Sequence, residues 1–355
     1  MTRAARVRID LSALSHNLQR VKQIAPDSRV LAMVKADAYG HGMIDVARAL
    51  QEADGFGVAF VAEGLALRAA GIRSPIVVMQ GFRDRQELDA AIAHRLDVTV
   101  HDPEQIALLK AGPLEGELGL WLKIDTGMHR MGVPAEEAPR VYQELRDLPS
   151  VAGPVTLMTH LACADDLDDS ATPRQIQAFD KSVKGLEGPQ SIANSAGILG
   201  WPGSHRDWVR PGIMLYGVSP LPGSNRRDHD LKPGMTLSAP LSAVKQLRRG
   251  DRIGYGATWT CPSDMTVGVV SIGYGDGYPR HAPSGTPVVV NGQRSRLLGR
   301  VSMDTITINL SGVDARRGDE VILWGGSLPA EEVAEQAGTI AYELFCAMRS
   351  CAHKV

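Results

Sequence analysis

The sequence predicts an N-terminal (β/α)8 barrel followed by a C-terminal, mostly β domain. Short apolar runs alternate with amphipathic helical patterns, which is the order of parallel strands joined by helices. The pattern changes near Leu221, beyond which loop signals and short β-rich runs dominate. The 355 residues suffice for two domains, which we place at residues 1–230 and 231–355. An open, doubly wound sheet is the alternative architecture for the first domain.

The predicted barrel strands are apolar runs, each followed by a polar or helical stretch. A short strand at 7–11 and a helix at 12–25 come first. The barrel strands are then expected at 30–34, 55–59, 76–80, 97–100, 118–124, 155–161, 191–194 and 208–214. Helical spacing is found at 63–70, 85–94, 103–109, 136–148 and 173–186. This alternation predicts that the strand ends share one face of the barrel.

The second domain is expected to consist of short strands and turns. Its β-rich runs lie at 237–247, 266–272, 287–290, 305–310 and 320–323. Asn291-Gly292 between two of these runs predicts a tight hairpin. The stretch 330–337 predicts one short helix.

Composition excludes several classes of protein. The formal net charge of −2 suggests neither a nucleic-acid nor a membrane partner. No apolar stretch approaches the ~18 residues of a membrane span. The four cysteines, Cys163, Cys261, Cys346 and Cys351, show no metal or disulfide spacing, and residues 1–10 are too charged for a signal sequence. We therefore expect a cytoplasmic protein without a metal site.

Lys35 is the first candidate catalytic residue. It follows the apolar run 30–34, so it is expected at the C-terminal end of a strand, the face where barrels do chemistry. A lysine that emerges from apolar surroundings loses its proton more easily, as a Schiff-base lysine must. The glycines at 40 and 42 allow a ligand to approach the backbone closely. The plain structural interpretation is a lysine that extends from a strand end into water.

Other polar residues follow the later strands in the same way. Lys123 and Asp125 end the fifth strand, His160 lies near the end of the sixth, Asn194 and Ser195 end the seventh, and Arg210 lies in the eighth. Barrels often hold phosphate in the loops after strands seven and eight. The Ser195 hydroxyl and the amides of Gly212 and Ile213 are suited to that task. A Schiff-base lysine together with a phosphate site indicates pyridoxal phosphate as cofactor.

Motifs in both predicted domains carry a family resemblance. They are Val34–Gly42, Leu122–Met128, Arg210–Gly217, Gly254–Trp259, Gly273–Tyr278 and Gly299–Asp304. Taken together and in this order, they resemble the pyridoxal-phosphate-dependent alanine racemases. The resemblance implies a barrel with a C-terminal β domain, and a homodimer in which each active site borrows residues from the partner's β domain. It also implies interconversion of L-alanine and D-alanine, with D-alanine supplied for peptidoglycan.

The resemblance implies two catalytic bases. Lys35 would hold the cofactor as an aldimine and then act as one base, and Tyr255 of the partner subunit would act as the other. Racemisation removes a proton on one face of the carbanion and returns it on the other, so one base per face meets the need. Positive charge from His160 linked to Arg210 would make Tyr255 more acidic. An isolated tyrosine beside a glycine turn would instead be a packed aromatic.

The resemblance also assigns the residues around the cofactor ring. Arg210 would face the pyridine nitrogen, where a guanidinium does not give up its proton. Arg130 would contact the phenolic oxygen and the substrate carboxylate. Lys123 matches a lysine that the family carries as a carbamate, an anion that orients Arg130. The structural alternatives are an ion-paired arginine at 210 and a salt-bridged lysine at 123.

The remaining assignments concern the phosphate, the substrate wall and the access channel. Tyr39, Ser195, Gly212, Ile213 and Tyr342 match the phosphate-binding set, which Asn194 would support. Met303 and Asp304 match the wall supplied by the partner, where the Met303 amide would meet the substrate carboxylate. The channel residues would be Asp165, Tyr274, Arg280, Arg300 and Asp304. The ending Ser350–Val355 departs from the family pattern and puts only terminal contacts in doubt.

Three alternative functions share parts of this pattern. A racemase of broader specificity, acting for example on serine, would use the same scaffold. A non-catalytic, single-barrel pyridoxal-phosphate-binding protein would lack residues 231–355. A decarboxylase on a similar scaffold would need a cysteine and an acid where this chain has Tyr255 and Arg210.

Overall fold

The computed structural model describes residues 3–151 and 153–350, apart from the side chain of Ser350. Residues 351–355, which form most of the atypical chain ending and include Cys351, lie outside the described residues. The strands are β1 (Arg6–Ile9), β2 (Arg29–Met33), β3 (Gly55–Val58), β4 (Ile76–Val78), β5 (Asp97–Val100), β6 (Leu120–Asp125), β7 (Val133–Pro134), β8 (Thr156–Met158), β9 (Gln190–Ser191), β10 (Trp208–Val209), β11 (Met235–Leu247), β12 (Arg252–Ile253), β13 (Trp259–Thr260), β14 (Met265–Val270), β15 (Pro287–Val290), β16 (Gln293–Leu298), β17 (Ile306–Asn309) and β18 (Glu320–Trp324).

The helical segments alternate with the first ten strands and return near the end of the described chain. They are α1 (Leu11–Ile24), α2 (Lys35–Gly40), α3 (Met43–Ala49), α4 (Val61–Ala69), α5 (Arg85–Ala93), α6 (Pro103–Lys110), α7 (Ala138–Arg146), α8 (Ala171–Ser182), α9 (Ser195–Gly200), α10 (Ala330–Ala337) and α11 (Ala341–Ala347).

Eight parallel strands close into a barrel. Their order is β2, β3, β4, β5, β6, β8, β9 and β10, and β10 pairs with β2 to complete the circle. The predicted barrel is confirmed, and this closure excludes the open, doubly wound sheet. The apolar runs form strands because their side chains are buried, as Leu31, Phe56 and Leu157 are.

The eighth strand is shorter than predicted. β10 ends at Val209, whereas the sequence pattern extended to Met214. Pro211 has no N–H to donate to a neighbouring strand, although its carbonyl oxygen accepts a hydrogen bond from the Met33 amide at 3.0 Å. Residues 213–216 then form a 3-10 turn. Arg210 therefore follows the strand instead of lying within it.

The C-terminal unit is an antiparallel β structure. β11 pairs with both β14 and β18, so these strands close a ring with β15, β16 and β17. The predicted hairpin is confirmed: Asn291 and Gly292 have φ values of 47° and 76° between β15 and β16, as a type I′ turn requires.

The chain separates into two compact units. The barrel unit comprises residues 14–38 and 43–231, and the β unit comprises residues 1–13, 39–42 and 232–355. The first predicted domain began at residue 1. In the structure β1 pairs with β11, which places the N-terminal strand in the β unit instead.

Candidate active site

Lys35 follows β2 and begins a left-handed turn. The φ angles of Ala36, Asp37, Ala38 and Tyr39 all lie between 52° and 56°. This conformation costs about 1–2 kcal/mol for each residue other than glycine. Strain of this kind persists where surrounding bonds fix the chain, and it clusters at functional sites. The backbone beside Lys35 is therefore held in an uncommon conformation.

Glu63, which the sequence motifs did not single out, holds the start of this turn. On α4, its carboxylate accepts a hydrogen bond from the Ala36 amide at 2.8 Å and another from the Ala59 amide at 2.6 Å. Further along the turn, the Asp37 carboxylate accepts a hydrogen bond from the Met43 amide at 2.8 Å. Glu63 stands third in its helix, but Phe60 occupies the position where the capping pattern needs serine or threonine, so no sequence pattern pointed to Glu63.

Four cations surround His160 in the barrel unit. Burial, followed by the charges of Arg210, Lys123, Arg130 and Lys35, lowers the pKa of His160 well below its ordinary value. Burial and the same neighbouring cations lower the pKa of Lys123 to about 8, and Asp125 opposes that shift. The structure thus brings together five of the predicted site residues, which are Lys35, Lys123, Arg130, His160 and Arg210. Such an excess of positive charge favours an anionic ligand.

Arg210 is buried among neutral hydrogen-bond partners. Its Nη1 donates to the Ser191 hydroxyl at 2.6 Å, and its Nη2 donates to the Thr159 carbonyl oxygen at 2.6 Å. Nη2 also lies 3.3 Å from His160 Nδ1, which supports the predicted His160–Arg210 link. Burial lowers the pKa of Arg210 to about 9, so the guanidinium keeps its proton at neutral pH. The interpretation of Arg210 as an ion-paired arginine is not supported by these partners.

Ser195 joins the two loops predicted to hold phosphate. Its hydroxyl oxygen accepts a hydrogen bond from the Gly212 amide at 2.8 Å and from the Met214 amide at 3.3 Å. Asn194 caps α9: its side-chain oxygen accepts from the Gly197 amide at 2.9 Å. Ser195, Gly212 and Ile213 are all buried and lie close together after β9 and β10. Asn194 therefore fixes the start of α9 beside Ser195, and its support of a phosphate site stays a prediction.

The β unit brings together the two tyrosines of the predicted phosphate set. The rings of Tyr39 and Tyr342 have their centroids 5.9 Å apart. Burial raises the pKa of Tyr39, so its hydroxyl stays protonated and can donate. Gly40 lies so close to α11 that a Cβ atom there would be 2.1 Å from the Phe345 carbonyl oxygen. Only glycine fits this position, because the backbone packs directly against α11; close approach of a ligand to Gly40 and Gly42 stays a prediction.

Tyr255 lies on an exposed turn of the β unit. It stands between Gly254 and Gly256, whose φ values of 72° and 71° are left-handed. Its side chain is 69% exposed, so in this chain it is not a packed aromatic. A Cβ atom on Gly256 would come 3.1 Å from Arg300 Nη1, which places the guanidinium beside the turn.

Tyr274 and Met303 lie on two loops that are joined backbone to backbone. The Tyr274 amide donates to the Ser302 carbonyl oxygen at 3.1 Å, and the Gly275 amide donates to that of Met303 at 2.8 Å. Tyr274 is 41% exposed and Met303 is 52% exposed. Because Arg300 and Met303 belong to one loop, the predicted partner-supplied residues Tyr255, Met303 and Asp304 share one surface with the predicted channel residues Tyr274 and Arg300. We call this surface the exposed loop patch; its members are Tyr255, Tyr274, Arg300, Met303 and Asp304.

Two predicted channel residues remain separate from these groups. Asp165 is exposed and lies near Cys163. The negative charge of Asp165 contributes to raising the pKa of the Cys163 thiol. Arg280 is also exposed. Within the described residues, no contact given by the structure joins either side chain to the barrel cations or to the exposed loop patch.

Known proteins match both units. The family models for the alanine racemase N-terminal domain and C-terminal domain match residues 9–220 and 234–355. An alanine racemase of Halorhodospira halophila is 52% identical over 350 residues, covering 98% of this chain and 96% of the relative. The crystal structure of biosynthetic alanine racemase from Pseudomonas aeruginosa superposes with a TM-score of 0.97 at 40% identity, covering 100% of this chain and 99% of that one.

A solved structure also bears on the cofactor. The alanine racemase from Bartonella henselae, described with covalently bound pyridoxal phosphate, matches with a TM-score of 0.89 at 27% identity over 99% of both chains. Among the described residues, no helix combines the length and apolarity needed to cross a bilayer.

Fold, site and comparisons define a barrel-type isomerase that acts on an amino acid. This chain belongs to the alanine racemase family, and its reaction is the racemisation of alanine.

Proposed function

We propose that this chain racemises alanine with pyridoxal phosphate bound covalently at Lys35, and that Lys35 and the partner subunit's Tyr255 are the two bases. The observation that supports this most strongly is the cation group around His160 beside Lys35. When bound, the cofactor withdraws electrons from the α-carbon of an attached amino acid, so that the α-proton can leave. The solved Bartonella henselae relative, with pyridoxal phosphate bound covalently, supports the choice of cofactor.

The residues present fit the chemistry of this cofactor. Its phosphate needs hydroxyl and amide donors, and Ser195, Gly212, Ile213, Tyr39 and Tyr342 are the proposed set. The Gly212 amide, which donates to the Ser195 hydroxyl at 2.8 Å, would turn to the phosphate when the cofactor binds. Arg130 is the proposed partner of the substrate carboxylate. Arg210 keeps its proton at neutral pH, so it would donate a hydrogen bond to a ring nitrogen without transferring a proton. Weak electron withdrawal of this kind favours rapid return of the α-proton over side reactions.

Lys123 is proposed to carry a carbamate. Formation of a carbamate joins a neutral amine to carbon dioxide and releases one proton. The lowered pKa of Lys123, about 8, makes the neutral amine available near neutral pH. The product is an anion among Arg210, Arg130 and Lys35, so it would offset the repulsion between these cations and the cost of burying Arg210. It would also orient Arg130.

The exposed loop patch supports a shared active site. Tyr255, Tyr274 and Met303 leave aromatic and apolar surface open to solvent, and such surface marks interaction sites. A two-fold dimer places the same loops reciprocally on both subunits. We propose that the patch supplies the second base, the Met303 amide that contacts the substrate carboxylate, and a channel completed by Asp165 and Arg280.

The biological role that fits this reaction is the supply of D-alanine for peptidoglycan in the cytoplasm. The structural relative from Pseudomonas aeruginosa is described as biosynthetic, which supports that role.

Chiral analysis of the purified protein tests the proposal. L-alanine and D-alanine should each convert to an equal mixture, and L-serine measures how broad the specificity is. Borohydride should fix the cofactor on Lys35, which peptide mapping would detect. A label on another lysine, or an amine product with release of carbon dioxide, would contradict the assignment.

A further inference from the structure

Gln175 is a buried glutamine whose amide group is fully used. It lies on α8 and is 3% exposed. Its Oε1 accepts a hydrogen bond from the Ala162 amide at 2.8 Å. Its Nε2 donates to the His160 carbonyl oxygen at 3.0 Å and to the Thr126 hydroxyl at 3.2 Å. One side chain therefore holds the backbone at His160 and at Ala162, two residues further on.

A second path runs from Gln175 through two threonines. Thr126 Oγ1 lies 2.8 Å from Thr159 Oγ1, which donates to the Ile124 carbonyl oxygen at 2.8 Å. The Thr159 hydroxyl gives its hydrogen to the Ile124 carbonyl oxygen, so it accepts the hydrogen of the Thr126 hydroxyl. The Thr126 oxygen in turn accepts a hydrogen bond from Gln175 Nε2. The donors and acceptors of this chain are mutually consistent. The Thr159 carbonyl oxygen is also the 2.6 Å acceptor of Arg210 Nη2.

We propose that Gln175 is a positioning residue that fixes His160 against Arg210 and couples the loops after β6 and β8. The consequence for catalysis rests on the proposed function, in which His160 and Arg210 tune the second base. An amide suits this place because it both donates and accepts without adding charge. A carboxylate would lose the donor, and an apolar side chain would leave three backbone or hydroxyl groups without their partner.

The barrel contains a matched control in Gln105. This residue lies on α6 and is 5% exposed. Its Oε1 accepts from the His101 amide at 2.9 Å, and its Nε2 donates to the carbonyl oxygens of Phe82 at 3.1 Å and Gln80 at 3.3 Å. Burial and bonding thus resemble those of Gln175, whereas none of these bonds involves His160 or Arg210. Loss of either amide should cost similar stability.

The test compares Gln175→Met with Gln105→Met. The first readout is the titration of His160, followed by NMR with labelled histidine before and after the cofactor is removed. The His160 ring is faced by the cations Arg210, Lys123, Arg130 and Lys35. Without the Gln175 hydrogen bonds, the backbone at 160–162 can move, so the ring can shift away from these cations and bind a proton more easily. We expect the pKa of His160 to rise toward about 6.5 in Gln175→Met and to stay unchanged in Gln105→Met.

Kinetics provide the second readout. We expect kcat for alanine to fall at least about tenfold in Gln175→Met with a smaller change in KM, because misplaced groups reduce turnover more than binding. Gln105→Met should stay within about twofold of wild type. Gln175→Glu serves as the second variant should Gln175→Met not fold. It keeps the shape and one acceptor but loses the donor to His160 and Thr126, so kcat should fall here too; the titration of His160 is compared only in the methionine variants, because the added charge would itself raise that pKa.

The outcomes separate this inference from the proposed function. Equal losses of thermal stability with no change in the titration of His160 would overturn the positioning role, and so would an unchanged kcat. Failure of the wild-type chain to racemise alanine would overturn the proposed function, while the titration of His160 in the cofactor-free protein would still decide the role of Gln175.

Discussion

The barrel unit buries much of its candidate site, whereas the turns of the β unit leave their candidate residues exposed. In the barrel unit Lys123, Ser195 and Arg210 are buried, and the structure gives Ser195 and Arg210 hydrogen bonds to neighbouring strands and loops. In the β unit Tyr255, Tyr274 and Met303 stand open to solvent on turns. Packing inside one chain thus completes the first group, whereas the second group is arranged but left uncovered. This difference is what a site shared between two identical subunits requires.

Burial also has different consequences in the two groups. Cations buried together raise the free energy of the folded barrel unless an anion joins them. An exposed tyrosine has no such cost, although its apolar surface gains free energy when a partner covers it. The barrel residues are therefore suited to bind an anionic cofactor, and the exposed loop patch is suited to bind a protein surface.

The largest expected effect comes from removing the amine in the barrel. Lys35→Ala should abolish covalent attachment of the cofactor and lower racemisation in both directions by about 10³-fold or more. Chiral assays started from each enantiomer measure this loss. Lys22→Ala, on α1, is the control and should keep wild-type activity, because among the described residues Lys22 bonds only to the Glu52 carbonyl oxygen and belongs to no proposed site. Substantial racemisation by Lys35→Ala would show that Lys35 is neither the attachment point nor a base.

The sequence was sufficient to locate the barrel strands but not the backbone conformation beside Lys35. Periodicity predicts strands such as Gly55–Val58 because burial on both faces selects continuous apolar runs. A left-handed turn through Ala36–Tyr39 has no such signal, since these residues ordinarily avoid positive φ. The turn exists because partners distant in sequence hold it, and single-sequence patterns do not show them.

The candidate site divides in the same way. Lys35, Tyr255 and Arg210 could be proposed from the sequence because each stands in a motif of recognisable chemistry. Glu63 and Gln175 could not, since their role follows from hydrogen bonds to backbone groups 27 and 15 residues away. Glutamate and glutamine on a helix are ordinarily surface residues.

A second, smaller effect should come from the support of the left-handed turn. Glu63→Gln keeps one acceptor oxygen but turns an NH₂ group toward a backbone N–H. We expect the free energy of unfolding to fall by about 2 kcal/mol and the cofactor to dissociate faster. Urea denaturation and cofactor release measure these two changes.

Glu87→Gln is the matched control for Glu63→Gln. Glu87 also stands third in its helix, and it accepts from the Arg83 amide at 2.9 Å on the protein surface. The Glu87→Gln substitution should lower the free energy of unfolding by less than about 1 kcal/mol and leave cofactor release unchanged. Equal effects of the two substitutions would show that Glu63 acts only as a helix cap.

The smallest expected effect is a pH dependence of stability from Lys123. Its pKa is about 8 when folded, below the ordinary 10.5, so the unfolded chain binds more protons between these values. Stability therefore rises with pH in that window. In buffer free of carbon dioxide, the wild type should gain about 1 kcal/mol from pH 7 to pH 9 relative to Lys123→Met. Parallel profiles for the two proteins would contradict the buried, charge-repelled state of Lys123.

Mixing two inactive variants tests the shared site most directly. Lys35→Ala and Tyr255→Phe each remove one base, from the barrel unit and from the exposed loop patch respectively. If the patch acts on the partner subunit, mixed dimers regain one intact site of two, so an equal mixture that re-dimerises fully should recover about a quarter of the wild-type activity. Recovery at that level is expected. A mixture that re-dimerises and stays inactive would show that Tyr255 serves the site of its own chain.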